Sequence, residues 1–238
     1  MKNKVLLERF YNEDNSYEVC IDEVGRGSMF GRVYIASVIL PKESKSFDGS
    51  NIKDSKKFSS KKKLKEVANY IKENALSYNI SYIESEIIDD INILQATMQG
   101  MHTCIKNSLT DIQNICENNK GEICNNVQLI IDGNYFKPYM YYDNQKQQII
   151  EIPHITIEQG DSKYMGIAAA SILAKDARDS YILSLCDEYP CLSEKYQLNK
   201  NMGYGTKSHL LGINNHGISQ WHRRSFGSCK TASINKIE

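Results

Sequence analysis

Residues 20–27, Cys-Ile-Asp-Glu-Val-Gly-Arg-Gly, set two adjacent carboxylates, Asp22 and Glu23, at the end of an apolar run. A glycine-flanked arginine, Arg26, follows them. Side-by-side carboxylates repel each other unless a cation neutralises them, which makes the pair a natural ligand for a hard metal. Gly25 and Gly27 allow backbone to come within hydrogen-bonding distance of a bound ligand. Two further carboxylates sit beside glycine at the ends of apolar segments: Asp132 before Gly133, and Asp161 after Gly160. Glu23 and Asp132 are 109 residues apart, and Asp132 and Asp161 are 29 apart, so only a folded sheet gathers them. Four carboxylates brought together would each hold a raised pKa without a counter-charge. Two Mg²⁺ or Mn²⁺ ions, ~3.5–4 Å apart, would supply that charge, one activating water and the other stabilising a leaving oxygen in phosphodiester cleavage. Each aspartate taken singly reads equally well as a turn or cap residue.

The elements that must position these acids follow from periodicity. Residues 17–24 have roughly alternating polarity and read as a strand, which Gly25 and Gly27 stop. Residues 33–40 are β-branched and apolar, a buried strand, and 76–83 read as a third. Leu64, Val67, Ala68, Ile71 and Ala75 recur at helical spacing, with Ser59 or Ser60 available as N-cap. After an acidic turn at 84–90, Leu94, Met98, Met101 and Ile105 mark a helix capped by Asp89 or Asp90. Residues 127–132 run as a strand straight into Asp132, 134–151 read as a hairpin or loop, and 155–157 form a short strand. A helix from about Ser162 to Leu185 carries small residues suited to close packing on a sheet. Interleaved strands and helices predict a mixed α/β sheet.

The 238 residues suit one large domain, or one with a small appendage. No apolar run approaches the ~20 residues of a membrane span, and no signal-peptide core follows the N-terminus, so a cytoplasmic protein is expected. Seven cysteines without a CxxC pair or a neighbouring histidine at zinc spacing exclude a zinc nuclease and predict buried or idle thiols. The formal net charge is zero, but residues 53–65 hold seven lysines against Asp54. Residues 201–238 hold five Lys or Arg against Glu238, so a basic face for nucleic acid can coexist with a neutral total. Solvated surface patches are the plainer reading of such runs. Gly203-Tyr-Gly-Thr-Lys207-Ser208 fails as a phosphate-binding NTPase loop, because Thr206 stands where Gly must precede Lys.

DEVGRG (22–27), DSKKFSSKKK (54–63), INILQAT (91–97), IDG (131–133), GDSKYMGIAAASILAKDARD (160–179), GYGTKSH (203–209) and HRRSF (222–226) occur in this order. Together they resemble ribonuclease HII, the type 2 ribonuclease H family, over residues 20–226. The resemblance implies a ribonuclease-H-like mixed sheet flanked by helices, catalytic over residues 1–188, with a small C-terminal helical extension at 189–238 that binds substrate. It implies a metal-dependent endonuclease, using Mg²⁺ or Mn²⁺, that cleaves RNA in RNA–DNA hybrids. The same family incises 5′ to ribonucleotides embedded in duplex DNA, leaving 3′-hydroxyl and 5′-phosphate ends. A monomer is expected.

Position by position, Asp22, Glu23, Asp132 and Asp161 match the family's metal-binding acids. Gly25, Arg26 and Gly27 match a loop that recognises the ribose 2′-OH and adjacent phosphate, and Tyr204 matches a tyrosine that packs on the ribonucleotide's neighbour. Lys56 and Lys57 match a segment that contacts phosphates, with a solvated role as the alternative, and Arg223 and Arg224 either do the same or brace the fold. Asp176 and Asp179 rival Asp161 as fourth ligand, and Asp161 leads on motif position. The chain departs from the family at Val24, Ser28, Phe30, Arg32 and Asp176, none of which alters the acids or the loop glycines. His209, His216 and His222 read as structural or phosphate-adjacent. The alternatives are a hybrid-binding protein without catalysis, or the specificity of the sister ribonuclease HIII.

Overall fold

A computed structural model describes residues 7–43, 46–53, 55, 58, 60–118, 126–144 and 146–237. Its five-stranded sheet has the order β3-β2-β1-β4-β7, built from β1 (Tyr17–Val24), β2 (Val33–Ile39), β3 (Ser77–Ile83), β4 (Val127–Asp132) and β7 (His154–Ile157). A separate antiparallel pair joins β5 (Met140–Asp143) to β6 (Gln148–Glu151), which resolves the expected hairpin or loop as a hairpin. β1 pairs in parallel with β4, and β4 in parallel with β7. Parallel neighbours bury both faces, and β1 shows this: Glu18 through Asp22 are all buried, against the alternation its sequence suggests. Glu18 survives there because its carboxylate accepts from the Tyr11 amide at 2.9 Å, the Asn12 amide at 2.7 Å and Asn15 Nδ2 at 3.0 Å.

Helix α1 (Lys61–Asn74) starts at Ser60, whose hydroxyl accepts from the Lys63 amide, and buries Leu64, Val67, Ala68 and Ile71 as their spacing predicts, while Ala75, expected with them, is the half-buried C-cap. Helix α2 (Ser85–Asn118) overturns the expected acidic turn: residues 85–91 are already helical, and Asn92, at φ 66° and ψ 162°, breaks the element. Asn92 Oδ1 accepts from the amides of Leu94 and Gln95 and so caps the second part, in place of Asp89 or Asp90. Helix α3 (Met165–Glu188) starts three residues later than expected, because Gly160–Ser162 form a 3₁₀ turn entered through left-handed Gln159. Short helices α4 (Cys191–Tyr196), α5 (Leu198–Asn201) and α6 (Lys207–His216) follow. No described helix is long and apolar enough to cross a membrane.

The chain divides into two compact units, one of Met1–Glu23, Ile35–Ser81 and Met101–Asp176, the other of Val24–Tyr34, Tyr82–Gly100 and Ala177–Glu238. In the first, Cys20, Ile130, Ile157 and Ile167 form a core cluster from β1, β4, β7 and α3. Gly166 lets α3 approach β1, since a Cβ there would fall 2.3 Å from Cys20 Sγ. In the second, Met29, Phe30, Ile182, Leu192, Tyr196 and Ile213 belong to a separate core. Cys20, Cys104, Cys186, Cys191 and Cys229 are free thiols, but Cys116 is disulfide-bonded. That corrects the expectation of buried or idle thiols at Cys116, because motif spacing does not report which sulfurs the fold brings together.

Candidate functional site

The first unit sets its acids at the C-terminal ends of parallel strands, where open α/β sheets commonly bind ligands. Ile21 pairs with Ile131 and Asp132 with Ile157, so Asp22 and Asp132 leave adjacent strands at the same level. The Asp22 side chain, 5% exposed, accepts from the Glu23 amide at 2.7 Å and from the Ser171 hydroxyl. Asp132 Oδ1 accepts from the Gly160 amide at 2.7 Å, which ties the end of β4 to the turn after β7. Asp161 is the next residue on that turn and is 7% exposed. Gly160 must be small: a Cβ there would fall 2.5 Å from Ile167 Cδ1 and 3.1 Å from Asp132 Oδ1.

Burial raises the Asp22 carboxyl well above the usual carboxylate range, and the charges of Glu23 and Asp132 raise it further. The Ser171 hydroxyl and Glu23 amide oppose that rise without cancelling it. Asp22, Glu23 and Asp132 therefore share one electrostatic field, as crowded carboxylates should. Among the described residues, no group of three His, Cys, Asp or Glu side chains is gathered so as to hold a metal ion. The fit to a hard divalent cation rests instead on oxygen-only donors and on the repulsion concentrated at buried Asp22. Asp176 pairs with Lys72 at 3.6 Å, and Asp179 belongs to the second unit.

Two serines that sequence reasoning passed over support the acids. Ser171 Oγ lies 2.9 Å from Ser55 Oγ, both buried, so the hydroxyl that meets Asp22 is itself held in place. Ser55 sits inside the lysine-rich block, and its neighbours Lys56 and Lys57 lie outside the described residues. A serine facing a strand-end aspartate leaves no mark in hydrophobic periodicity, so only the fold brings this pair to notice.

In the second unit, loop 25–31 closes around buried arginines. Arg223 Nη1 donates to the carbonyls of Gly25 at 2.7 Å, Arg26 at 3.1 Å and Ser28 at 2.8 Å, while its Nε donates to Gly31 at 2.8 Å. Arg223 is fully buried, which settles its role as a brace, whereas Arg224 is exposed. Burial and the neighbouring Arg178 charge push the Arg223 guanidinium down to about 9. Gly25 has φ +100°, and a Cβ there would meet Arg178 Nε at 2.3 Å, so glycine is required twice over. Gly27 has open space around its Cβ position and no positive φ, so packing alone does not demand glycine there.

Tyr204 is 38% exposed. Its carbonyl accepts from His209 Nδ1 at 3.0 Å, and the Arg178 guanidinium lies 5.1 Å from its ring centroid. His209 Nε2 lies 3.1 Å from His222 Nε2, both rings buried, which makes the pair structural.

Residues 19–229 match the family described as Ribonuclease HII. The chain is 38% identical over 216 residues to Ribonuclease HII of Parabacteroides distasonis, covering 91% of this chain and 92% of that protein. The ribonuclease H2 structure from Pyrococcus horikoshii OT3 superposes with a TM-score of 0.62 at 18% identity, covering 90% of this chain and 95% of that one. Bst-RNase HIII in complex with Mn²⁺ gives a TM-score of 0.54 at 16% identity, over 91% of this chain and 65% of that one.

Proposed function

Because this chain belongs to the ribonuclease HII family, whose members are type 2 ribonuclease H endonucleases, we propose that it is a metal-dependent hydrolase of ribonucleotide phosphodiesters in duplexes. Its substrates are RNA–DNA hybrids and duplex DNA with embedded ribonucleotides, which it incises 5′ to the ribonucleotide to leave a 3′-hydroxyl and a 5′-phosphate. One observation carries this reading: strand-end carboxylates from β1 and β4 crowd a buried Asp22 whose charge asks for a divalent partner.

Asp22, Glu23, Asp132 and Asp161 would hold Mg²⁺ or Mn²⁺, two ions in the fullest case. Such ions, when bound, lower the pKa of water and take up charge on phosphate oxygens. The chain's own work is preorganisation. The Glu23 amide and Ser171 hydroxyl fix the Asp22 carboxylate, and the Gly160 amide fixes that of Asp132. Gly25, Arg26 and Gly27 read the ribose 2′-OH and its phosphate, and Tyr204 packs on the neighbouring nucleotide. Lys56 and Lys57 contact phosphates. Neither His209 nor His222 serves as a base, since each is buried against the other. We assign residues 1–188 to the catalytic domain, which includes loop 25–27 and the lysine-rich block, and 189–238 to a substrate-binding tail, in a cytoplasmic monomer.

The test is Asp132→Asn. Cleavage of a labelled hybrid is expected to disappear while binding of the same hybrid in EDTA persists. Near-normal turnover by that variant would overturn the assignment.

A further inference from the structure

The second unit contains a buried polar node that none of the roles above uses. Ser28 is fully buried, yet its hydroxyl works at full capacity. It donates toward the carbonyls of Gly203 at 2.9 Å and Phe30 at 3.0 Å. It accepts from Arg178 Nη2 at 2.7 Å and from the Phe30 amide at 3.3 Å. The same Arg178 nitrogen also donates to the Met202 carbonyl at 2.8 Å. Arg178 Nε and Nη1 have no hydrogen-bond partner among the described residues, so this buried charge is held chiefly through Nη2. Its guanidinium occupies the space that the missing Cβ of Gly25 leaves, and it lies beside the Tyr204 ring.

The node therefore touches both segments that the proposed function assigns to reading the ribonucleotide. Loop 25–31 supplies Ser28 and the approach at Gly25, while Met202, Gly203 and Tyr204 supply the other side. The backbone repeats the link, with Ser28 and Tyr204 in an antiparallel bridge and the Met29 amide donating to Gly203 at 2.9 Å. Resting on that reading of function, we propose that Ser28 and Arg178 are specificity-positioning residues, clamping loop 25–31 to Tyr204 in the register that reads one isolated ribonucleotide.

Substrates differ in how many chances they offer the loop. A long hybrid presents a 2′-OH at every position, so a loosened register still meets one. A single embedded ribonucleotide offers one 2′-OH and one neighbour, and the loop and Tyr204 must engage both together. Loosening the clamp thus costs the second substrate more than the first.

The experiment compares wild type, Ser28→Ala and Arg178→Lys on a DNA duplex with one ribonucleotide and on a long RNA–DNA hybrid. Ser28→Ala removes the hydroxyl but leaves Arg178 bonded to Met202 and Gly203 bonded to Met29. Arg178→Lys keeps the charge and loses the planar fork. Each variant is expected to lose about tenfold in kcat/KM on the single-ribonucleotide duplex, with under about twofold loss on the hybrid. Binding of the single-ribonucleotide duplex in EDTA should weaken in parallel, with Mn²⁺ binding by calorimetry unchanged. An unchanged ratio between substrates in both variants would overturn the proposal while leaving the function standing. Failure of wild type to cut either duplex would overturn the function and this inference with it.

Discussion

At Asp22 the protein concentrates a problem that it does not solve with its own charges. The carboxyl is buried and faces Glu23 and Asp132, and hydroxyl and amide donors offset only part of the cost. A raised folded-state value means that the native protein keeps a proton which the unfolded chain releases at lower pH, so stability falls as pH rises through that interval. A divalent ion displaces that proton and binds more tightly at higher pH. Mn²⁺ is therefore expected to raise the melting temperature by an amount that grows with pH, read by scanning calorimetry across a pH series from the ordinary carboxylate range upward; a shift that does not grow with pH would contradict the account. Gly160→Ala tests the same locus through geometry. Its Cβ would press on Ile167, whose tip can swing aside, and on Asp132 Oδ1, which must yield by a few tenths of an ångström. Turnover is expected to fall by about tenfold or more, with the melting transition still cooperative. Unchanged kcat would show that Asp132 tolerates the shift. The acids themselves were legible in sequence because carboxylate and glycine sit together in short motifs. Ser55, Ser171 and Arg178 were not, because the contacts that bring them to notice span 116 residues from Ser55 to Ser171 and 150 from Ser28 to Arg178.

Elements are legible in the sequence where one face decides and obscure where a distant partner does. Helix α1 matches its spacing because Leu64, Val67, Ala68 and Ile71 all turn inward and Ser60 caps it. Helix α2 did not yield its break to the same reasoning. Asp89 and Asp90 were natural caps by type, but Asp89 instead accepts from the amides of Arg224 at 2.7 Å and Ser225 at 2.9 Å. A contact across 135 residues leaves no local trace. Asn92 takes the capping role, and its positive φ suits asparagine better than most residues. Asn92→Ala is expected to cost ~1–2 kcal/mol in urea unfolding, and Asn92→Asp distinctly less because the acceptor oxygen remains. Equal losses in both variants would show that φ strain, not capping, governs the site. The turn at Gly160–Ser162 escaped for a similar reason: it exists to pass the Gly160 amide to Asp132.

At the scale of the molecule, the resemblance carried the fold class and the family, and the parallel order β1-β4-β7 explains why acids so far apart in sequence serve one sheet edge. The division into a unit with the four acids and a unit with the loop and Tyr204 was not legible, since it cuts through β1, β2, β3, α2 and α3 rather than between elements. The second unit has its own acid sensitivity. His209 Nδ1 donates to the Tyr204 carbonyl, so His209 Nε2 accepts from His222, whose Nδ1 accepts from the Ser219 amide at 3.0 Å. Burial lowers both rings, and the neighbouring His209 helps to push His222 down to about 3. The unfolded chain takes up protons below its ordinary histidine value of about 6.5, while the native pair resists. Stability is thus full above that value and falls as pH drops toward 3. Urea titrations are expected to show that decline, and His222→Gln to flatten it; an unchanged slope would remove the pair as its cause. The central claim is catalytic, and it meets its most direct test in a labelled DNA duplex carrying one ribonucleotide, incubated with and without Mg²⁺ or Mn²⁺. The account predicts a single metal-dependent nick on the 5′ side of that ribonucleotide, with a 3′-hydroxyl end. An intact duplex under all conditions, with the protein folded and bound to it, would contradict it.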